Sequence, residues 1–133
     1  MKKAIEECMS GFEAGDSGEL SAAFIFPEDF IGFQGHFPGN KILPGICHIQ
    51  CAVSMLERWQ GGKAMLKEII SAKFFSPVLP DDVLICRAGS TVEGSGAVIL
   101  KASFSRDNKK VSEMKLRVNF KQDNTCIIVK ATG

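Results

Sequence analysis

A chain of 133 residues has room for one sizeable hydrophobic core and little room for a second, so a single domain over 1–133 is expected. With 45% hydrophobic and 23% charged residues it is too apolar to stay disordered. Its net charge of +1, with Lys and Arg scattered among acidic residues, gives no footprint for a nucleic-acid backbone. The cysteines Cys8, Cys47, Cys51, Cys86 and Cys126 are odd in number and lack paired spacing, which argues for reduced thiols rather than a secreted disulfide framework. No apolar run approaches the roughly 20 residues of a membrane span, and the opening Met-Lys-Lys-Ala-Ile-Glu-Glu has no apolar signal region. The cytoplasm is the expected compartment, and neither membrane nor nucleic acid is an expected partner.

Taken in chain order, Ala4, Ile5, Cys8, Met9 and Phe12 recur at helical spacing and predict a short amphipathic helix over about 2–13. A β-prone run from Glu19 to Phe26 ends at Pro27 and gives way to an irregular stretch, dense in Phe, Gly and Pro, that lasts to Gly45. Ile46 to Gln60 contains neither Gly nor Pro, is apolar on nearly every face as far as Leu56, and meets Gly61 and Gly62, so it reads as a buried helix with a glycine stop. Strands are then predicted over Leu66–Phe75, Val83–Val92, Ala97–Arg106 and Val111–Phe120. Their turns fall at Pro80-Asp81-Asp82, Glu93 to Gly96 and Asp107-Asn108. A final run, Cys126 to Lys130, suits an edge strand or a tail. One apolar helix followed by antiparallel strands buries its surface best when the sheet wraps around the helix, which gives an α+β architecture.

The irregular stretch ends in Gly35-His36-Phe37-Pro38-Gly39-Asn40-Lys41-Ile42-Leu43-Pro44-Gly45, directly ahead of the buried helix. Gly-His-Phe-Pro-Gly, a short spacer and Leu-Pro-Gly at a helix start resemble the β-hydroxyacyl-acyl-carrier-protein dehydratases of fatty acid synthesis, of the FabZ and FabA type. The segment Ala72 to Asp82 is similar to the same family's Lys-Ala-Arg-Phe, Pro-Val, Pro-Gly-Asp pattern, and the resemblance covers about Glu19 to Phe120. It implies a hotdog fold, a 3-hydroxyacyl thioester on acyl carrier protein or CoA as substrate, and dimers or oligomers of dimers whose sites lie at the interface. No cofactor is implied. Cys47 and Cys51 have helical i, i+4 spacing but no third or fourth metal ligand in view, and an apolar helix raises thiol pKa, so these cysteines read as core packing.

Each part of the loop has a chemical use. An imidazole exchanges protons near neutral pH, which makes His36 the candidate base. Pro38 fixes the backbone beside it, while Gly35 and Gly39 permit tight turning. Gly45 opens a helix, where unpaired N–H groups can polarise a thioester carbonyl and stabilise the enolate-like charge left when the α-proton departs. Phe37, Gly39, Pro44, Ile46, Phe33 and Phe74 are the candidate substrate contacts. Phe30 and Phe75 are further aromatic candidates for an acyl tunnel. Lys41, Lys73 and Arg87 are cations that an acidic carrier could meet.

The chain departs from the family at two places. In the family a carboxylate stands fourteen residues beyond the histidine and donates the proton that lets hydroxyl leave as water, and here that position is Gln50. An amide can hold the hydroxyl or a water, but it has no titratable proton and cannot act as a general acid. Glu57, farther down the same helix, lies about 10 Å from Gln50 at roughly 1.5 Å per residue and reads as a solvated carboxylate near the helix end. The family also carries an extra strand ahead of the counterpart of Glu19, where only the short helix is expected here. Three readings stay open: a dehydratase with His36 as base, Gly45 N–H as carbonyl donor and Gln50 positioning the hydroxyl; an acyl-carrier-binding subunit that pairs, as a heterodimer, with an acid-bearing dehydratase paralogue; and a thioesterase on the same fold.

Overall fold

The computed structural model describes residues 1–34, 39 and 41–120. His36, Phe37 and the predicted 126–130 run, with Cys126, lie outside the described residues. The elements are α1 (Lys2–Glu7), β1 (Met9–Ala14), β2 (Leu20–Phe24), a 3₁₀ turn (Ile31–Phe33), α2 (Gly45–Gln60), β3 (Ala64–Phe74), β4 (Leu84–Val92), β5 (Val98–Arg106) and β6 (Lys109–Phe120). The strands form one six-stranded antiparallel sheet in the order β1-β2-β4-β5-β6-β3.

Alternation decides which face of the sheet is buried. Along β5, Val98, Leu100, Ala102 and Phe104 point inward while Lys101 and Ser103 point outward, and β6 repeats the pattern with Ser112, Met114, Leu116 and Val118 inside. The inner face closes on α2, whose residues from Cys47 to Leu56 are nearly all buried and which packs against α1 and strands β2 to β5. Gly61 ends α2 in the left-handed region at φ 78°, its N–H bonded 2.7 Å from the Glu57 carbonyl. The β5–β6 hairpin turns through Asp107 and Asn108, both with positive φ at 53° and 64°, the geometry of a two-residue primed turn.

The expected helix over 2–13 is corrected by the structure. It stops at Glu7, and Met9–Ala14 instead becomes a strand pairing with β2, with Met9 opposite Phe24 and Ala14 opposite Leu20. Two physical terms oppose the longer helix. Gly11 in a helix interior costs about 1 kcal/mol relative to alanine, and it sits instead at φ 60° where the β1–β2 register shifts, as a bulge requires. The edge of β2 also offers backbone hydrogen bonds that a helix cannot use. The strand expected to be missing ahead of Glu19 is therefore present as β1.

At the opposite edge, β3 pairs with β6 on one side. Met65, Leu66, Ile69, Ile70 and Phe74 are exposed along it, followed by Phe75. A long edge strand carrying exposed aliphatic residues is a template for further pairing.

Candidate active site at the start of the buried helix

The N-terminus of α2 is held by backbone. Pro44 is its N-cap with φ −62° and ψ 149°, no side chain caps the first turn, and the Cys47 N–H returns to the Pro44 carbonyl at 3.0 Å. The N–H groups of Gly45 and Ile46 precede the first intrahelical bond and have no helical acceptor. One residue upstream, Leu43 N–H bonds the Val78 carbonyl at 2.8 Å, tying the loop to the segment after β3. Arg106 fixes that segment from below: Nη1 donates to the Pro77 carbonyl at 2.7 Å and to Asp82 at 2.9 Å, and Nη2 donates to Ser76 Oγ at 3.0 Å.

These two stretches enclose an open cavity of about 470 Å³, lined by Ile42, Leu43, Gly45 and His48 on one side and Phe74 to Pro77 on the other. Space is tight at Gly45. A Cβ at this position would lie 2.9 Å from Phe74 Cζ. The absence of a side chain thus brings an aromatic wall directly against the first turn of α2.

Of the residues expected at the site, the structure brings Gly45 and Phe74 together at the cavity and puts Pro44 beside them as the N-cap. Ile46 is 56% exposed on the outer side of the first turn, and Gly39 is exposed with φ 84°. Phe33 is buried in the core, edge-on to Phe30 with ring centroids 5.7 Å apart, so both rings pack the interior instead of lining this cavity. Phe75 is 55% exposed and lines the cavity. Gln50 is half-buried and its amide donates to Ser54 Oγ at 2.9 Å, one turn down the helix. Lys41 reaches the Glu28 carbonyl at 3.1 Å, and Lys73 and Arg87 stand on the outer face of the sheet.

The expectation for Glu57 is overturned. It is 8% exposed, not solvated: Oε2 accepts from Lys2 Nζ and from the Ala64 N–H, each at 2.7 Å. The start of β3 returns to the end of α2 at this point, and α1 brings Lys2 across it. Cys47, Cys51 and Cys86 are buried, and burial raises the pKa of each thiol, that of Cys47 to about 11, so all three are neutral thiols in the core. Among the described residues no cluster of His, Cys, Asp or Glu is arranged to hold a metal.

The sequence puts His48 on a different helix face from Gln50 and gives neither it nor Ser112 a role at the site. His48 is 2% exposed on the sheet-facing side of α2, with Nδ1 2.8 Å from Ser112 Oγ and its ring edge-on to Phe74 and Phe104 at 5.1 and 5.6 Å. Burial lowers its pKa from 6.5 to about 4, so the ring is neutral at physiological pH. The available signal was a histidine among the apolar residues Ile46, Cys47 and Ile49 of the first turn.

The chain matches the family model described as ApeI-like, the ApeI dehydratase, over residues 13–115. The 3-hydroxyacyl-acyl-carrier-protein dehydratase FabZ of Lactobacillus helveticus is 49% identical over 77 residues, covering 53% of this chain and 51% of that protein. The chain thus spans about half the length of that curated relative. The FabZ of Ehrlichia canis is 30% identical over 108 residues, 74% of this chain and 72% of that protein. Among solved structures, the dehydratase heterocomplex ApeI:P from Xenorhabdus doucetiae matches with a TM-score of 0.71 at 19% identity, over 84% of this chain and 96% of that one. The E. coli PaaI protein of the phenylacetic acid degradation operon matches with a TM-score of 0.66 at 14% identity, over 88% and 87%. Identities this low establish the fold, an antiparallel hotdog sheet closed on one helix, and the family match supplies the rest: the chain belongs to the ApeI-like dehydratases.

Proposed function

We propose that this chain removes water from a 3-hydroxyacyl thioester, carried on acyl carrier protein or CoA, with His36 as the base. The reading is carried by one observation: a helix whose first N–H groups have no side-chain cap opens at Gly45 onto a largely apolar cavity, directly after the sequence Gly35 to Pro44. In the reaction His36 takes the proton from C2, and the electron pair forms the C2–C3 double bond as the C3–O bond breaks. Charge developing on the thioester oxygen is met by the Gly45 N–H. The departing hydroxyl needs a proton, which Gln50 cannot donate. It returns from the His36 imidazolium, directly or through a water that Gln50 holds, or it comes from a carboxylate on a partner subunit.

Gln50 favours that partner as a second reading. In a heterodimer with an acid-bearing paralogue, His36 would face the paralogue's carboxylate and one complete site would form. The exposed aliphatic edge of β3 supports association of this kind, whether with a second copy or with a relative. A solved structure of the same fold, ApeI:P from Xenorhabdus doucetiae, is itself a dehydratase heterocomplex.

The test is interconversion of a 3-hydroxyacyl and an enoyl carrier-protein thioester by the purified chain beside His36→Ala. Turnover that falls by about 10²-fold or more in the variant supports His36 as base. Unchanged turnover in the variant removes it from that role. Acyl-carrier binding without turnover by the unaltered chain favours the partner-dependent subunit.

A further inference from the structure

The outer face of the sheet is sorted by charge. One row of side chains crosses it in register from edge to edge: Glu13, Ser21, Arg87, Ser103, Glu113 and Lys73. The next row runs Gly89, Lys101, Lys115 and Ser71, with Glu19 beside Gly89 in a cavity that Arg87 also lines. Unpaired carboxylates thus stand over β1 and β2, and lysines over β5, β6 and β3. Arg87 divides two open cavities, one of about 570 Å³ at Glu13 and Glu19 and one of about 300 Å³ at Lys73, Lys101 and Lys115.

A face that meets only water needs no such sorting. Elsewhere the sheet settles its charges internally: Arg117 pairs with Glu68 and Glu93, and Glu113 with Lys110. Among the described residues, Glu13, Glu19, Lys73, Arg87, Lys101 and Lys115 form no ion pair. Lys101 and Lys115 are direct cross-strand partners, a like-charge pairing that destabilises a sheet left to itself.

We infer that this face docks a second copy of the same chain, turned over about a two-fold axis that runs along the strands between β4 and β5. In the order β1-β2-β4-β5-β6-β3 that axis exchanges β1 with β3, β2 with β6 and β4 with β5. Glu13 then meets Lys73 of the second copy, and Glu19 meets Lys115. Size is matched as well as charge: Lys101 lies over Gly89, Arg87 over Ser103 and Glu113 over Ser21, a long side chain above a short one each time. The space above Gly89 is open, with nothing within 4 Å of a Cβ built there. A surface complementary to itself makes an isologous interface, and stacked sheets with aligned strands are an established packing. Phe74 alternates with Lys73 and faces the other side of β3, so stacking leaves both the Gly45 cavity and the β3 edge uncovered. The docking is independent of the reaction proposed above. Because its ion pairs remain near water, it is weak and sensitive to salt.

Sedimentation velocity of the full chain over a range of concentrations tests it. At low salt the mass should double as concentration rises, and the step should vanish at about 1 M salt, where the Debye length is about 3 Å. Lys115→Glu removes the repulsion with Lys101 inside the chain, so the fold is kept, but it sets two carboxylates against each other across the interface. The step should weaken by about tenfold or more. Glu19→Lys/Lys115→Glu exchanges the two signs and should restore it to within about threefold. Pairing along the apolar β3 edge sets the starting mass and is indifferent to these charges, so it leaves the step readable. A mass that ignores concentration and salt, a step unchanged by Lys115→Glu, or a swap that fails to restore it would overturn the inference. Pyrophosphate bound at Lys101 and Lys115 by a chain of constant mass would also overturn it, giving the face to a phosphate ligand instead.

Discussion

At its C-terminal end α2 closes on a left-handed Gly61, with the Glu57 carboxylate gathering Lys2 and the Ala64 N–H, whereas its N-terminal end opens from Pro44 with no side-chain cap over a cavity. Both ends carry a glycine and a buried ionisable group, yet they are finished in opposite senses. The polar groups at the end of the helix are used to join α1, α2 and β3. Those at its start are held in place by neighbours but turned toward open space, and a helix start left in this state is available to bind negative charge on a ligand. The contrast separates residues that hold the fold from residues that border the cavity, and it can be pressed experimentally.

The sharpest way to break it is to put a methyl group at each end. Gly45→Ala drives a Cβ to within 2.9 Å of the Phe74 ring, so the aromatic wall or the first turn has to move. That movement carries the residue-45 N–H away from the thioester oxygen, so turnover should fall by about 10²-fold, with a stability loss of about 1–3 kcal/mol from overpacking. Gly61→Ala meets nothing within 4 Å and adds only the strain of a side chain at φ 78°, about 1 kcal/mol, and turnover should be unchanged. Urea melts and the thioester assay on both variants check the pair, and equal effects on turnover would dissolve the distinction.

A smaller effect, on stability, sharpens the contrast through pH. The folded chain holds His48 at about 4 against an ordinary 6.5. As pH falls below about 6.5 the unfolded chain takes up a proton that the folded chain refuses until about pH 4. The unfolded state thus binds more protons in that window, and stability drops as pH falls through it. Above about pH 6.5 the contribution of the neutral ring is fully present. The loss is on the order of 3 kcal/mol, and His48→Leu/Ser112→Ala should flatten the slope in denaturant melts across that window.

Much of the architecture could be read from the chain because its patterns have one consistent solution. The β5 and β6 alternation, the Asp107-Asn108 turn and the glycine stop after Gln60 each appear where periodicity and turn chemistry put them. The first segment failed for a definable reason: Ala4 to Phe12 fits a helical face, but pairing with β2 outweighs that local preference from Met9 onward. Of the site, Gly45 and Phe74 could be read from the motif and its following strand. The Phe74 ring that crowds Gly45 is a three-dimensional fact, as is the core position of Phe33. His48 and Glu57 show the same limit. Each depends on a partner far away in sequence, Ser112 for one, Lys2 and Ala64 for the other, and no local pattern encodes such a pairing.

The central claim is that this chain is dehydratase machinery short of one proton donor, and Gln50→Glu tests it most directly. A carboxyl group there restores a titratable proton fourteen residues beyond His36, on a helix face that already presents Ser54 Oγ as a neighbour. Measured on the homogeneous chain with a 3-hydroxyacyl carrier-protein thioester, the rate should rise by about 10²-fold or more over the unaltered chain. A rate that stays level or falls, in a variant with unchanged stability and substrate binding, would contradict the account and show that the reaction does not turn on an acid at this position.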